Sequence, residues 1–264
     1  MTGSRHAIIL ILLASGSLFA QDKTSGHKTP AREPVRAHKV MLIPYEPRMY
    51  MGEVDRQIHE ETRLSPTEIR AKFRDGLNEQ LYRAFKGSEF NVVDLLDDTL
   101  KYQKDIAGIY QHLSYDYQKV PDQEKYQPPV KEKKQSQIEK GQLAIETNSE
   151  KRFMNAKVTN PKVVPLLYAK YKTDLFVFIN QLDIKASGSP DPTQFLNTTP
   201  NRKISVHYTV YSYDAREINS GLAEEEFDPS LNNPRKIIDK HFSKVAETIA
   251  QRVNRQLSIA AKAK

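Results

Sequence analysis

Apolar positions along this chain recur with two periods, and the switches between them mark out most of its elements. Lys39 to Tyr45 (KVMLIPY) is a short continuous apolar run bounded by Pro44 and Pro47, too brief for a stable helix, and predicts a buried first strand. Ser65-Pro66-Thr67-Glu68 reads as a capping box with proline in the first helical turn. Ile69, Phe73, Leu77, Leu81 and Phe85 then recur every four residues as one stripe, and Gly87 marks the stop. Asn160-Pro161 opens a second helix carrying Val164, Leu166, Leu167 and Tyr171, which Pro165 should shorten or bend. Asn233-Pro234 opens a third, with Ile238, Phe242, Val245, Ile249, Val253 and Leu257 on its apolar face.

Strands fill the gaps. Phe90 to Leu96 and Asp174 to Ile184 are apolar runs of strand length. Lys203 to Tyr213 alternates, with Ile204, Val206, Tyr208 and Val210 on one face and His207 and Tyr211 on the other. Asp214 to Glu217 reads as a hairpin turn into a last strand, Ile218 to Phe227, which Gly221 should break and Glu224, Glu225 and Glu226 should mark as a charged edge. Between the second strand and second helix, Tyr102, Ile106, Ile109, Tyr110, Leu113 and Tyr117 fall at helical spacing and predict one amphipathic helix over Thr99 to Gln118. Lys119 to Lys140 lacks periodicity and reads as a solvated insertion, and Gln142 to Val158 as one or two short strands. The expected fold is therefore α/β (α+β), a mixed β-sheet of about five strands flanked by helices, with a helical and linker insertion.

The ends change the picture of where this domain works. Arg5 and His6, the apolar run Ala7 to Leu13 and the small-residue stretch closing at Leu18-Phe19-Ala20 read as a secretory signal peptide over residues 1–20, cleaved at about Ala20/Gln21. Residues 21–37 are too polar to order themselves and read as a disordered leader, residues 38–258 as a single domain and 259–264 as a disordered tail. The protein is thus expected in the periplasm or secreted, with no integral membrane span after cleavage. None of the 264 residues is cysteine, which excludes disulfides, thiolate metal sites, a cysteine nucleophile and a lipidated cysteine. The formal charge of +7 points toward an anionic partner, but the charge is unevenly placed, with clusters of lysine and arginine in the leader, the insertion and the C-terminal helix.

The order of these elements, with the runs KVMLIPY, FNVVDLL and TDLFVFINQLDI in their places, resembles the α/β domain of the TolB N-terminal, CsgG and penicillin-binding-protein-activator group. The stretch Tyr171 to Asn180 is similar to a run in a set of secreted Gram-negative envelope proteins with the same strand-helix-strand opening. The resemblance implies a TolB N-terminal-like fold and a domain that binds other envelope proteins. No β-propeller, lipidated cysteine or pore-forming hairpin pair accompanies it here, so only that general adaptor role carries over.

Candidate chemistry is sparse. Asp55 and His59, four apart and followed by Glu60 and Glu61, could share a helical face and hold a metal for a hydrolase, but they also fit an ordinary polar surface. His207 reads as a sheet-surface histidine and His241 as a packing residue beside the last helix's stripe. Asp94, Asp97, Asp98, Asp183 and Asp214 stand at or near strand ends, where acid/base work and turn capping compete as explanations. No phosphate-cradling or nucleophile-elbow motif occurs, so neither cofactor, metal nor nucleic acid is expected. The residues expected to contact an envelope protein are Tyr45, Arg48, Met49, Tyr50 and Met51, an aromatic, arginine and methionine cluster after the first strand. The alternative is an anionic envelope polymer held by Arg235, Lys236, Lys240, Lys244, Arg252 and Arg255.

Overall fold

The computed structural model describes residues 37–129, 151–187 and 200–262, and residues 37–264 belong to one compact unit. The expected signal peptide, the leader up to residue 36, the second half of the insertion (130–140) with residues 141–150, and the loop at 188–199 lie outside the described residues.

The fold is a mixed sheet covered by helices, as the periodicities predicted. Strands β1 (Lys39–Ile43), β3 (Asn91–Asp94) and β6 (Leu175–Ala186) are parallel, and β7 (Arg202–Ser212) and β8 (Glu217–Phe227) continue antiparallel, in the order β3-β1-β6-β7-β8. A short β2 (Tyr50–Gly52) pairs with the far half of β6, setting Tyr50 opposite Leu182. Alternation divides β1 between two cores. Val40 and Leu42 meet Phe73 and Leu77 of α2 (Pro66–Gly87) together with Val245 and Ile249 of α6 (Ser243–Lys262). Met41 and Ile43 meet Ile109 of α3 (Thr99–Gln111) and Val164 and Leu167 of α4 (Val163–Tyr171).

Local chemistry sets the helix ends. Ser65 Oγ accepts from the Glu68 N–H at 3.3 Å and the Ser65 N–H donates to Glu68 Oε2 at 2.7 Å, the reciprocal box that the sequence announced. Asn233 Oδ1 accepts from the Lys236 N–H and starts α5 (Pro234–Ile237). The helix continues through a π-helical turn, Ile238–Phe242, into α6, which runs to Lys262 rather than stopping at residue 258. Asn160 instead forms a turn with the Lys162 N–H, so α4 begins at Val163. Pro165 then falls in the first turn, where no intrahelical N–H is lost.

Three elements depart from expectation. Thr99 to Gln118 is not one helix: α3 stops at Gln111, and Leu113 to Lys119 forms β4, which pairs antiparallel with β5 (Arg152–Val158) as a ribbon across the α3/α4 face of the sheet. Gly221 does not break β8, which pairs with β7 along its length. Gly221 has φ 153°, and a Cβ there would lie 2.7 Å from the amide nitrogen of Gln123, whose side chain donates to the Ser220 carbonyl at 2.9 Å. The glycine therefore admits the segment around Gln123, which lies against the edge strand and shields it from stray pairing. The third departure is that segment itself. It falls within the predicted solvated insertion, yet Tyr126 packs down to donate to Glu217 at 2.9 Å.

Candidate functional site

The two tyrosines of the cluster after β1 face the core and not solvent. A 3₁₀ turn over Pro47–Met49 returns the chain onto β6, and the pairing of β2 carries Tyr50 inward. Tyr45 and Tyr50 are buried in the α2/α6 core and Met49 packs against it. Gly52 makes room for the Tyr50 hydroxyl, which donates to Asp55 Oδ1 at 2.5 Å. Burial, reinforced by that carboxylate, pushes the Tyr50 phenol well above its ordinary range, so it stays protonated. Arg48 and Met51 remain exposed, and the Arg48 guanidinium pairs with Glu46 at 2.8 Å.

The predicted basic face of the C-terminal helix is also largely engaged. Arg252 donates to the Leu222 carbonyl of β8 at 2.8 Å, Arg255 pairs with Glu124, Lys244 with Glu225 at 2.6 Å and Arg235 with Asp239 at 3.7 Å. Lys236 and Lys240 are exposed on the first turns.

Asp55 and His59 do lie on one helix, α1 (Asp55–Thr62), but they serve its structure. Asp55 holds Tyr50, and His59 Nδ1 contacts the Leu64 carbonyl at 2.8 Å. Among the described residues no group of three or more histidines, aspartates or glutamates is placed to hold a metal ion. The strand-end acids are divided among separate tasks. Asp98 caps α3 through the Lys101 N–H, Asp94 accepts from Asn78 and from the Leu96 N–H, and Asp214 accepts from Ser212.

His207 is not on the surface. The ribbon β4–β5 covers it, leaving it 3% exposed, within a polar layer that the alternation of β7 did not reveal. Its Nδ1 accepts the Met154 N–H at 2.8 Å, which places the proton of the neutral ring on Nε2, 3.5 Å from Asp183 Oδ2. Burial opposes ionisation of Asp183, but the neighbouring His207 ring, the Gln181 amide at 2.6 Å and the Lys185 ammonium at 3.0 Å hold its carboxyl below the usual carboxylate range. An aspartate and histidine thus stand together, yet the nitrogen that would act as a base is filled by a backbone amide, so the pair positions the ribbon. Beside it, Thr209 Oγ1 donates to Asn155 Oδ1 at 2.5 Å and accepts from the Ala156 N–H at 3.2 Å and Asn180 Nδ2 at 2.8 Å. His241 packs as expected, its ring 5.3 Å from that of Phe227.

What the fold leaves uncovered lies elsewhere. Val163 to Ala169 (VVPLLYA) carries no charge. Only Val164 and Leu167 turn fully into the core, so Pro165, Leu166, Tyr168 and Ala169 face outward. Leu166, one of the apolar residues this helix was expected to carry, is 66% exposed. Tyr213, at the β7–β8 turn and 52% exposed, extends this face; its ring lies 5.1 Å from that of Tyr168. Among the described helices none is long and apolar enough to cross a membrane. Neither protein-family models nor curated proteins yield a match to this sequence.

Proposed function

We propose that this chain is a non-catalytic adaptor domain of the cell envelope that binds another protein through the outer face of α4 and Tyr213. The observation that carries this reading is the uncovered apolar stretch Pro165, Leu166, Tyr168 and Ala169, continued by the Tyr213 ring. A helix facing solvent normally turns polar residues outward, and an apolar outer face rich in tyrosine has the composition of an interface core. The signal-like start supports a partner in the periplasm or beyond. The Tyr45 to Met51 segment is not part of the reading, because its two tyrosines are spent on the domain's own core. The polymer-binding alternative is left chiefly with Lys236 and Lys240, since the other four cations of its set already hold glutamates, an aspartate or a backbone carbonyl.

The test is site-specific photocrosslinking in intact cells that make the full chain. A crosslinking residue in place of Leu166 or Tyr213 should give discrete protein adducts, lost when Tyr168 is changed to Glu, while one at Lys240 should give none. Adducts to glycan from Lys236 or Lys240, with none from Leu166 or Tyr213, would overturn the reading in favour of the polymer.

A further inference from the structure

A second surface, with different chemistry, lies at the free edge of the sheet. A cleft of about 1110 Å³ runs between α2, strand β3 with the segment that follows it, and the first turns of the C-terminal helix. Its wall includes a strand edge. Among the described residues β3 ends the sheet, bonded to β1 on one side only. The Asn91 N–H donates across to the His38 carbonyl at 3.0 Å, and in a parallel ladder alternate residues bond to the same neighbour. The amide and carbonyl of Val92 therefore point away from β1, toward the cleft that Val92 lines.

The charges along this cleft do not cancel. Glu79 pairs with Arg83, and Arg235 with Asp239. That leaves Lys72 facing three aspartates, Asp75, Asp94 and Asp97. The Asp75 carboxyl is pushed above the ordinary range by burial, with Asp94 adding repulsion against the opposing pull of Arg74 and Lys72. Asn78, 4% exposed, also lines the cleft. Its Nδ2 donates to Asp94 Oδ1 at 2.6 Å, which fixes the orientation of the amide and leaves the buried Oδ1 with no hydrogen-bond partner. An excess of carboxylates over cations and an unpartnered buried acceptor call for donors that carry positive charge.

We propose that this cleft binds an extended basic peptide, which adds as a strand along Val92 and sets an arginine or lysine side chain against Asp75, Asp94 and Asn78. The open edge supplies main-chain pairing, and the acids select the side chain, as in other recognition by strand addition. A free small cation would satisfy the acids but leave the Val92 edge unused. This site is independent of the α4 face.

The probe is a ten-residue peptide alternating valine and arginine, with a counterpart in which every arginine is glutamate, each titrated onto the full chain by fluorescence anisotropy. The arginine peptide should bind and the glutamate peptide should not. Asp75→Asn should weaken binding about tenfold, the loss expected for one charge-assisted hydrogen bond. Val92→Pro should weaken it similarly, because it removes only an N–H that points away from β1. Hydrogen exchange on the unaltered chain gives the second readout: the Val92 amide should become protected when the arginine peptide binds. Binding of both peptides alike, binding unaffected by Asp75→Asn, or peptide binding without protection of Val92 would each overturn the proposal, and the last would reduce the cleft to a small-cation site.

Discussion

Replacing Thr209 with valine isolates what holds the β4–β5 ribbon to the sheet. The two side chains have nearly the same shape, so the change removes a hydroxyl and little else. That hydroxyl is fully buried and makes three hydrogen bonds, one donated to Asn155 Oδ1 and two accepted, from the Ala156 N–H and Asn180 Nδ2. Asn180 Nδ2 keeps a second partner in the Met154 carbonyl at 2.8 Å, whereas the Ala156 amide and Asn155 Oδ1 lose theirs. Two buried groups without partners, at about 1–3 kcal/mol each, give a loss of about 2–6 kcal/mol. Against a total stability of about 5–15 kcal/mol, that is a severe change for an isosteric substitution. Thr209→Ser keeps the hydroxyl and removes one methyl, which should cost only about 1 kcal/mol. Urea denaturation of the two variants checks the ordering, and hydrogen exchange locates the effect, with amides of Arg152 to Val158 losing protection first in the valine variant. If the serine variant proves the less stable, or the valine variant lies within about 1 kcal/mol of the parent, the ribbon is held by apolar packing instead.

Two further outcomes follow from close packing and from charge. An alanine at position 76 of α2 should normally gain up to about 1 kcal/mol of helix propensity, but its Cβ would fall 2.5–2.9 Å from three side-chain atoms of Ile238. Because the Ile238 branch is stiff at χ1, Gly76→Ala should lower stability by about 1–3 kcal/mol, and Gly76→Ala with Ile238→Ala should be more stable than Ile238→Ala alone; a Gly76→Ala variant more stable than the parent would refute the contact. Asp183→Asn should lower the melting temperature at pH 7. Since the folded carboxyl titrates below the unfolded one, its stabilisation is present above about pH 4 and lost as pH falls through the folded value. The gap between parent and variant in thermal scans should therefore close toward pH 3, and a gap that stays constant with pH would rule out the carboxylate's charge as its origin.

Element types were legible wherever one period had no rival. The Ser65 box and the four-residue stripe from Ile69 to Phe85 admit one reading, and α2 follows it. From Tyr110 to Tyr117 two readings overlap. Tyr110, Leu113 and Tyr117 continue a helical stripe, but Leu113, Tyr115 and Tyr117 also alternate with Ser114, Asp116 and Gln118, and tertiary pairing with β5 decides for the strand. His207 was missed for a related reason. Alternation shows that a residue points to the second face of a sheet, but not whether a ribbon from a distant part of the chain will cover it. The sequence signal that could have found the layer is the density of Asn180, Gln181, Asp183, His207 and Thr209 on two strands predicted to be adjacent, more polar groups than an open sheet face needs.

The same distinction bears on partners. A formal charge of +7 suggests an anionic ligand only if the cations are free and together. Within the described domain Arg252 and Arg255 are turned to its own β8 and Glu124, while Asp75, Asp94 and Asp97 gather at the open edge of β3, where Lys72 lines the same cleft and Arg74 adds its pull on Asp75. Charges more than a Debye length away, about 8 Å at physiological ionic strength, are largely screened, so a side chain seated against Asp75 and Asn78 is governed by groups within a few ångströms and not by the net charge of the chain. The sign that matters for recognition at this edge is therefore negative, opposite to that of the whole chain. The apolar α4 face, with Leu166 and Tyr168 exposed on an uncharged stretch, depends on neither sign, so the two proposed surfaces differ in the chemistry they would take, one basic and extended, the other apolar.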